Sequence, residues 1–146
     1  MKGEIAKRAL LDTGFWIGLL DPADAHYASV QSLLPTIERL HSLVPWPCLY
    51  EFMGTRLIKR RESVSALDRV LRMKGVHHID DIPYREHAML QCRNPRNAIR
   101  PLSLVDRVLR AIAEDINNRV DAIVTVDPND YRDICNRHGI ELIEVV

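Results

Sequence analysis

The sequence predicts an α/β fold, a mainly parallel five-stranded sheet covered by helices on both faces. Three observations predict it. Short apolar runs of strand length recur along the chain, longer segments with helical periodicity separate them, and the 146 residues suffice for one domain, residues 1–146, with a full core. Strands separated by helices cannot pair through tight hairpins, so they pair in parallel through crossovers.

The elements follow in order. Residues 8–11, Arg-Ala-Leu-Leu, form a short buried run ending at Asp12, and a short helix covers residues 14–20. Asp21-Pro22-Ala23-Asp24 reads as a turn and N-cap for a second helix reaching about residue 40. Residues 42–44 are the second strand, stopped by Pro45 and Pro47, with a helix from about residue 48 to residue 60. An amphipathic helix over residues 62–74 ends at Gly75, read as its C-cap. Residues 76–79 form a weak strand, and a helix runs from residue 83 to 91, followed by a polar loop over residues 92–101. Ser103 begins the clearest helix, with Leu104, Val105, Val108, Leu109 and Ile112 on one face. Residues 121–125 are the strongest strand. Asp127-Pro128 opens a helix to about His138, Gly139 ends it, and residues 140–145 close the sheet.

Twenty basic residues balance twenty acidic ones, so no excess positive field drives indiscriminate binding to polyanions. Cys48, Cys92 and Cys135 are odd in number and lack metal-ligand spacing, which fits free thiols in a reducing compartment. The N-terminal residues carry no apolar signal segment, and no apolar run approaches the ~20 residues of a membrane span. A cytoplasmic protein without membrane association is the expectation.

In parallel α/β sheets, ligands bind outside the carboxyl ends of the strands. Asp12 ends the first strand, Glu51 lies in the first turn of the helix after the second, Asp106 lies in the first turn of the helix before the fourth, and Asp127 follows the fourth. All four can reach one rim. Carboxylates so gathered repel one another unless a cation compensates, and hard oxygen donors suit Mg²⁺ or Mn²⁺. A pair of such ions can activate water against a phosphodiester, and the chain carries no GxSxG, HExxH or P-loop pattern. Each acid also has a purely structural reading. Asp12 and Asp127 can cap the helices they precede, and Glu51 and Asp106 can favour positive helix N-termini.

Leu10-Leu11-Asp12-Thr13, Leu49-Tyr50-Glu51-Phe52, Leu102-Ser103-Leu104-Val105-Asp106 and Val124-Thr125-Val126-Asp127, with Asp130-Tyr131 beyond, together resemble a PIN domain. In size the chain is similar to the VapC-type toxins, and the resemblance spans residues 8–146. It implies a three-layer α/β/α sandwich, endoribonuclease activity dependent on Mg²⁺ or Mn²⁺, and metal ligation by Asp12, Glu51, Asp106 and Asp127. Asp130 matches a frequent additional acid, and Thr13 and Ser103 match supporting hydroxyls. The resemblance also implies an RNA substrate, an antitoxin partner and a homodimer. Two departures stand out: Arg107 occupies a position that usually holds a small residue, and residues 77–101 match nothing in the pattern.

Arg56, Lys59, Arg60 and Arg61 end the helix that carries Glu51, a position that suits solvated charge at a helix C-terminus. Arg56 and Lys59 are also candidate RNA contacts, as are Arg96 and Arg100 in the loop before Asp106, and Arg107. His26 reads as structural or rim-lining. His77 and His78, adjacent on a strand, point to opposite faces and cannot readily share one ion. Two readings compete with the nuclease. One is a catalytically silent PIN-like module that binds RNA or protein. The other is a carboxylate-based phosphatase or receiver, disfavoured because Gly14 stands where the phosphatase class needs a second Asp and no acid pair precedes the first loop.

Overall fold

A computed structural model describes residues 5–93 and 101–146. The strands are β1 (Arg8–Leu11), β2 (His41–Pro45), β3 (Val76–Ile79), β4 (Ala122–Thr125) and β5 (Glu141–Glu144). They form one sheet of order β3-β2-β1-β4-β5, with every neighbouring pair parallel. The helices are α1 (Thr13–Leu20), α2 (Tyr27–Ile37), α3 (Trp46–Met53), α4 (Arg61–Leu71), α5 (Arg85–Arg93), α6 (Leu104–Glu114) and α7 (Arg132–His138). Helix α1 packs with α2, α3 and α4, and α6 packs with α5 and α7, so the helices form two layers with the sheet between them.

The sheet is buried because its strands are apolar on both faces. Leu10, Leu43, Ile123 and Val124 are fully shielded, as are Phe15 and Trp16 of α1 and Leu109 and Ile112 of α6. β1 lies at the centre, with β2 on one side and β4 on the other. From there the chain order runs outward in both directions, so the strand order reverses beside β1. That reversal opens a crevice at the carboxyl ends of the strands.

Several boundaries differ from expectation for local reasons. Helix α3 begins at Trp46 rather than at residue 48, because a proline is tolerated in the first turn, where its missing N–H has no helical partner. It ends at Met53 rather than at residue 60. Thr55 then caps a separate 3₁₀ turn, Arg56–Lys59, by accepting a hydrogen bond from the Leu57 N–H. Glu51 therefore sits in the second turn of α3, not the first. Helix α2 is shorter than expected at both ends. Asp21 and Asp24 cap local turns by accepting from the backbone N–H groups of Ala23 and His26, which delays the helix to Tyr27. Helix α4 closes through Arg72 in right-handed helical geometry, so Gly75 is not its C-cap. The segment after β4 is a 3₁₀ turn, Pro128–Asp130, followed by α7 rather than one continuous helix. Gly139 does end α7, in the left-handed region at φ 65°.

Gly14 permits the close approach of α1 to the segment after β4. A Cβ built there would lie 2.5 Å from Val126 Cγ2, well inside contact distance. A β-branched side chain has little rotamer freedom to yield. Gly14→Ala is therefore expected to destabilise the protein by about 1–3 kcal/mol. Urea unfolding monitored by circular dichroism measures the difference, and a variant as stable as the parent would contradict this packing.

Candidate active site

Asp12 is the first residue after β1 and the N-cap of α1. Its backbone N–H still bonds to Val124 O (3.1 Å), so the sheet fixes the main chain on which the carboxylate is carried. Oδ1 accepts from the Thr13 N–H (2.7 Å) and Oδ2 from the Thr125 hydroxyl (2.9 Å). The Thr125 Oγ1 in turn accepts from the Asp127 N–H at 3.0 Å. One hydroxyl thus joins the acid that ends β1 to the main chain beyond β4.

Thr13 turns the other way and donates from Oγ1 to Glu51 Oε2 (2.5 Å), so adjacent residues reach two of the acids. Asp106 is the third residue of α6 and closes a capping box with Ser103. Its N–H donates to Ser103 Oγ (3.0 Å), and its Oδ2 accepts from the Ser103 N–H (3.1 Å). Its Oδ1 accepts from the Tyr131 hydroxyl (3.3 Å). The predicted supporting hydroxyls thus act differently, Thr13 on Glu51 directly and Ser103 by capping the helix that carries Asp106.

Asp12 is only 7% exposed. Burial pushes its pKa up from 3.8 to about 6, the hydrogen bonds from Thr125 and Thr13 oppose the rise, and the charges of Asp106 and Glu51 add to it. Two of the other predicted acids therefore act on Asp12. Asp127 joins them through its main chain, while its side chain is exposed to solvent. Asp130 is buried in the turn beyond, and its carbonyl accepts from Arg110 Nη1 (2.6 Å). Among the described residues, no three His, Cys, Asp or Glu groups are drawn together tightly enough to enclose an ion as they stand.

The donor chemistry nevertheless fits a hard divalent cation. The gathered donors are carboxylate oxygens, one of them raised in pKa by burial and by its neighbours, and a cation would relieve that repulsion. The rims of the site, Glu51 and Asp127, are exposed.

Two groups went unassigned in the sequence. Thr125 reads there only as the end of an apolar strand, although its place two residues before Asp127 is the available signal. Tyr131 is fully buried, and burial with the nearby Asp12 and Asp106 charges pushes its phenol pKa upward, so the hydroxyl stays a donor. Cys48 is likewise buried beside the acids, and burial, then the Asp12 charge, keeps its thiol protonated.

Of the candidate basic contacts, Arg56 is held 3.3 Å from the buried carboxylate of Asp21, with Arg60 at 3.5 Å. Lys59 is exposed, and Arg107 is half-buried, its Nε shielded without a hydrogen-bond partner among the described residues. Arg96 and Arg100 lie outside the described residues. His77 and His78 do point apart. His77 meets His41 through ring nitrogens 2.8 Å apart, whereas His78 stacks on Trp46 at 5.4 Å.

The raised Asp12 carboxyl has a consequence for stability. Between pH 4 and 6 the folded protein holds a proton that the unfolded chain releases, so stability falls as pH rises through that window and levels off above it. Asp12→Asn removes the buried charge. In chelator, the variant is expected to exceed the parent in stability by about 1–3 kcal/mol at pH 8, with the advantage gone at pH 4. Urea unfolding at the two pH values checks this, and an equal difference at both would show that Asp12 is not the titrating group.

No protein-family model matches the chain, and no curated protein matches its sequence. Solved structures do match its shape. The Sarcin–Ricin loop cleaving toxin VapC20 of Mycobacterium tuberculosis superposes with a TM-score of 0.63 at 19% identity, over 79% of this chain and 86% of that one. VapBC2 from Rickettsia felis, solved bound to a DNA fragment from its promoter, gives a TM-score of 0.60 at 15% identity, over 94% and 98% of the two chains. With its five parallel strands between two helical layers, this chain has the PIN-like α/β/α fold of the VapC-type toxins.

Proposed function

We propose that this protein is a Mg²⁺- or Mn²⁺-dependent endoribonuclease of the VapC-toxin kind, acting in the cytoplasm. One observation carries the reading: Asp12 is buried at the end of the central strand, and Thr13 and Thr125 hold its carboxylate while the Thr13 hydroxyl holds Glu51 beside it. Carboxylates crowded at a ligand-binding edge are costly for the fold alone, and that cost becomes useful when a cation is held there.

Asp12, Asp106 and Asp127 are the proposed metal ligands, with Glu51 completing the set and Asp130 as an additional acid. Ions bound there would supply the chemistry that activates water and stabilises charge developing on the phosphodiester. The chain supplies orientation. Thr125 and the Thr13 N–H hold Asp12 at both oxygens, and Thr13 Oγ1 holds Glu51. Arg107, one residue beyond Asp106, and exposed Lys59 are proposed phosphate contacts, with Arg96 and Arg100 in the preceding loop. Arg56 is a weaker candidate because Asp21 engages it.

The cleavage described for VapC20 supports RNA as the substrate class here. A protein partner, as antitoxin or as a second copy of this chain, is proposed from a groove of about 960 Å³. Its lining includes Glu51 with Tyr50, Met89, Leu90 and Leu104, the last four exposed apolar side chains. Among the described residues, no helix is long and apolar enough to cross a membrane.

The second reading, a catalytically silent module binding RNA or protein, is favoured by a specific feature. The Asp127 side chain faces solvent, and no three metal-ligating groups close on one point among the described residues. Calorimetric titration with Mn²⁺ separates the readings, since the silent module has no need to bind the ion.

The direct test is incubation of the parent and Asp12→Asn with total cellular RNA, in Mg²⁺, in Mn²⁺ and in chelator. Discrete fragments are expected from the parent with metal alone, and Asp12→Asn should lose more than about 100-fold in rate, since even outer-shell partners of a metal cost 10- to 100-fold. Undiminished cleavage by Asp12→Asn, or cleavage that survives chelation, would remove Asp12 or the metal from the reaction.

A further inference from the structure

Tyr131 is a polar group where packing asks only for an aromatic ring. Its side chain is fully buried at the start of α7, and a phenylalanine would fill the same apolar space. A hydroxyl buried in a core is costly unless it is hydrogen-bonded. The partner that the structure gives it is Asp106 Oδ1, at 3.3 Å. The other oxygen of that carboxylate is taken by the Ser103 N–H at 3.1 Å, so Asp106 is held by the cap of its own helix and by the residue that begins α7.

The position of Tyr131 is itself fixed from α6. Arg110, one helical turn beyond Asp106, donates to Asp130 O (2.6 Å) and makes a bidentate pair with Asp133, both bonds at 2.7 Å. These bonds clamp the residues on either side of Tyr131 to the helix that carries Asp106. The main chain of Tyr131 is set as well, its N–H bonding to Pro128 O (3.1 Å) and its carbonyl accepting from the Cys135 N–H (3.0 Å). The phenol therefore arrives at Asp106 on a rigid support. At 3.3 Å the bond is longer than most O–H···O contacts, so its hold on the carboxylate is loose.

We infer that Tyr131 is a positioning residue of the acidic site, its buried hydroxyl orienting the Asp106 carboxylate toward Asp12 for metal binding. This rests on the reading of Asp106 as a metal ligand. Tyr131 touches neither substrate nor metal. It acts through Asp106, as hydrogen-bond partners of metal ligands generally do. It also ties the orientation of Asp106 to the turn after Asp127, so that two acids distant in sequence share one support.

The test compares the full-length parent, Tyr131→Phe and Asp106→Asn by Mn²⁺ titration calorimetry and by RNA cleavage kinetics. Tyr131→Phe is expected to keep the parent's circular dichroism spectrum and to bind Mn²⁺ about 10- to 100-fold more weakly. Its kcat should fall while KM for RNA stays put, a split that a general loss of structure would not produce. If Tyr131→Phe binds Mn²⁺ like the parent while Asp106→Asn does not, the positioning role is wrong and the ligand reading of Asp106 stands. If Asp106→Asn also binds like the parent, the ligand reading fails and takes the inference with it.

Should Tyr131→Phe not fold, the parent labelled with ¹³Cζ-tyrosine is titrated with Mg²⁺. The Tyr131 signal is assigned by replacing Tyr27, Tyr50 and Tyr84 in turn. A saturable shift of that signal supports the inference, and an unmoved signal overturns it.

Discussion

The hydrogen bond from the Thr125 hydroxyl to Asp12 Oδ2 joins the ends of the two neighbouring strands beside which the strand order reverses. Everything at the candidate site is arranged around the constraint that it answers. A carboxylate must sit at the buried end of a central strand, shielded from water and close to two other acids. Desolvation alone would push such a group to its neutral form, and the two hydrogen bonds it accepts are what oppose that. The parallel sheet provides the place. Strands pointing the same way deliver their carboxyl ends to one edge, and the segments that leave β1, β2 and β4 carry Asp12, Glu51 and Asp127.

Helix capping and the gathering of acids turn out to be the same act. Asp12 caps α1 through the Thr13 N–H, and Asp106 closes the capping box of α6 with Ser103. Read singly, each is an ordinary helix start. Together they show how a fold can orient carboxylates cheaply: the main chain that each acid caps also engages its side chain. Each cap engages one carboxylate oxygen, and the second oxygen is met by a hydroxyl from another element, Thr125 for Asp12 and Tyr131 for Asp106.

The neutral charge balance conceals a division of labour among the basic residues. Several are committed to local architecture: Arg56 and Arg60 to the buried Asp21, Arg85 to Asp81, and Arg110 to Asp133. The Asp21 cluster fixes the end of α1 against the turn after α3, and so stabilises the two helices that frame Thr13 and Glu51. Equal numbers of acids and bases in a sequence say nothing of this, because pairing depends on which side chains the fold brings within reach.

The sequence by itself determined the alternation of strands and helices, and with it the parallel sheet, because apolar runs and helical periodicity are local properties. It also determined which acids follow strands, since their place along the chain is enough to assign them to one edge. The ends of helices were less legible. Thr55 and Asp24 hydrogen-bond to nearby backbone and divert the chain into short turns, a competition that periodicity does not register. Only the tertiary structure decided which acids interact, because that depends on side-chain direction: Glu51 turns in to meet Thr13, while the Asp127 side chain is left in solvent. Thr125 and Tyr131 were hidden for the same reason. In sequence one is the end of a strand and the other a core aromatic, and their hydroxyls acquire a purpose only when folding sets a carboxylate from a distant segment beside each of them.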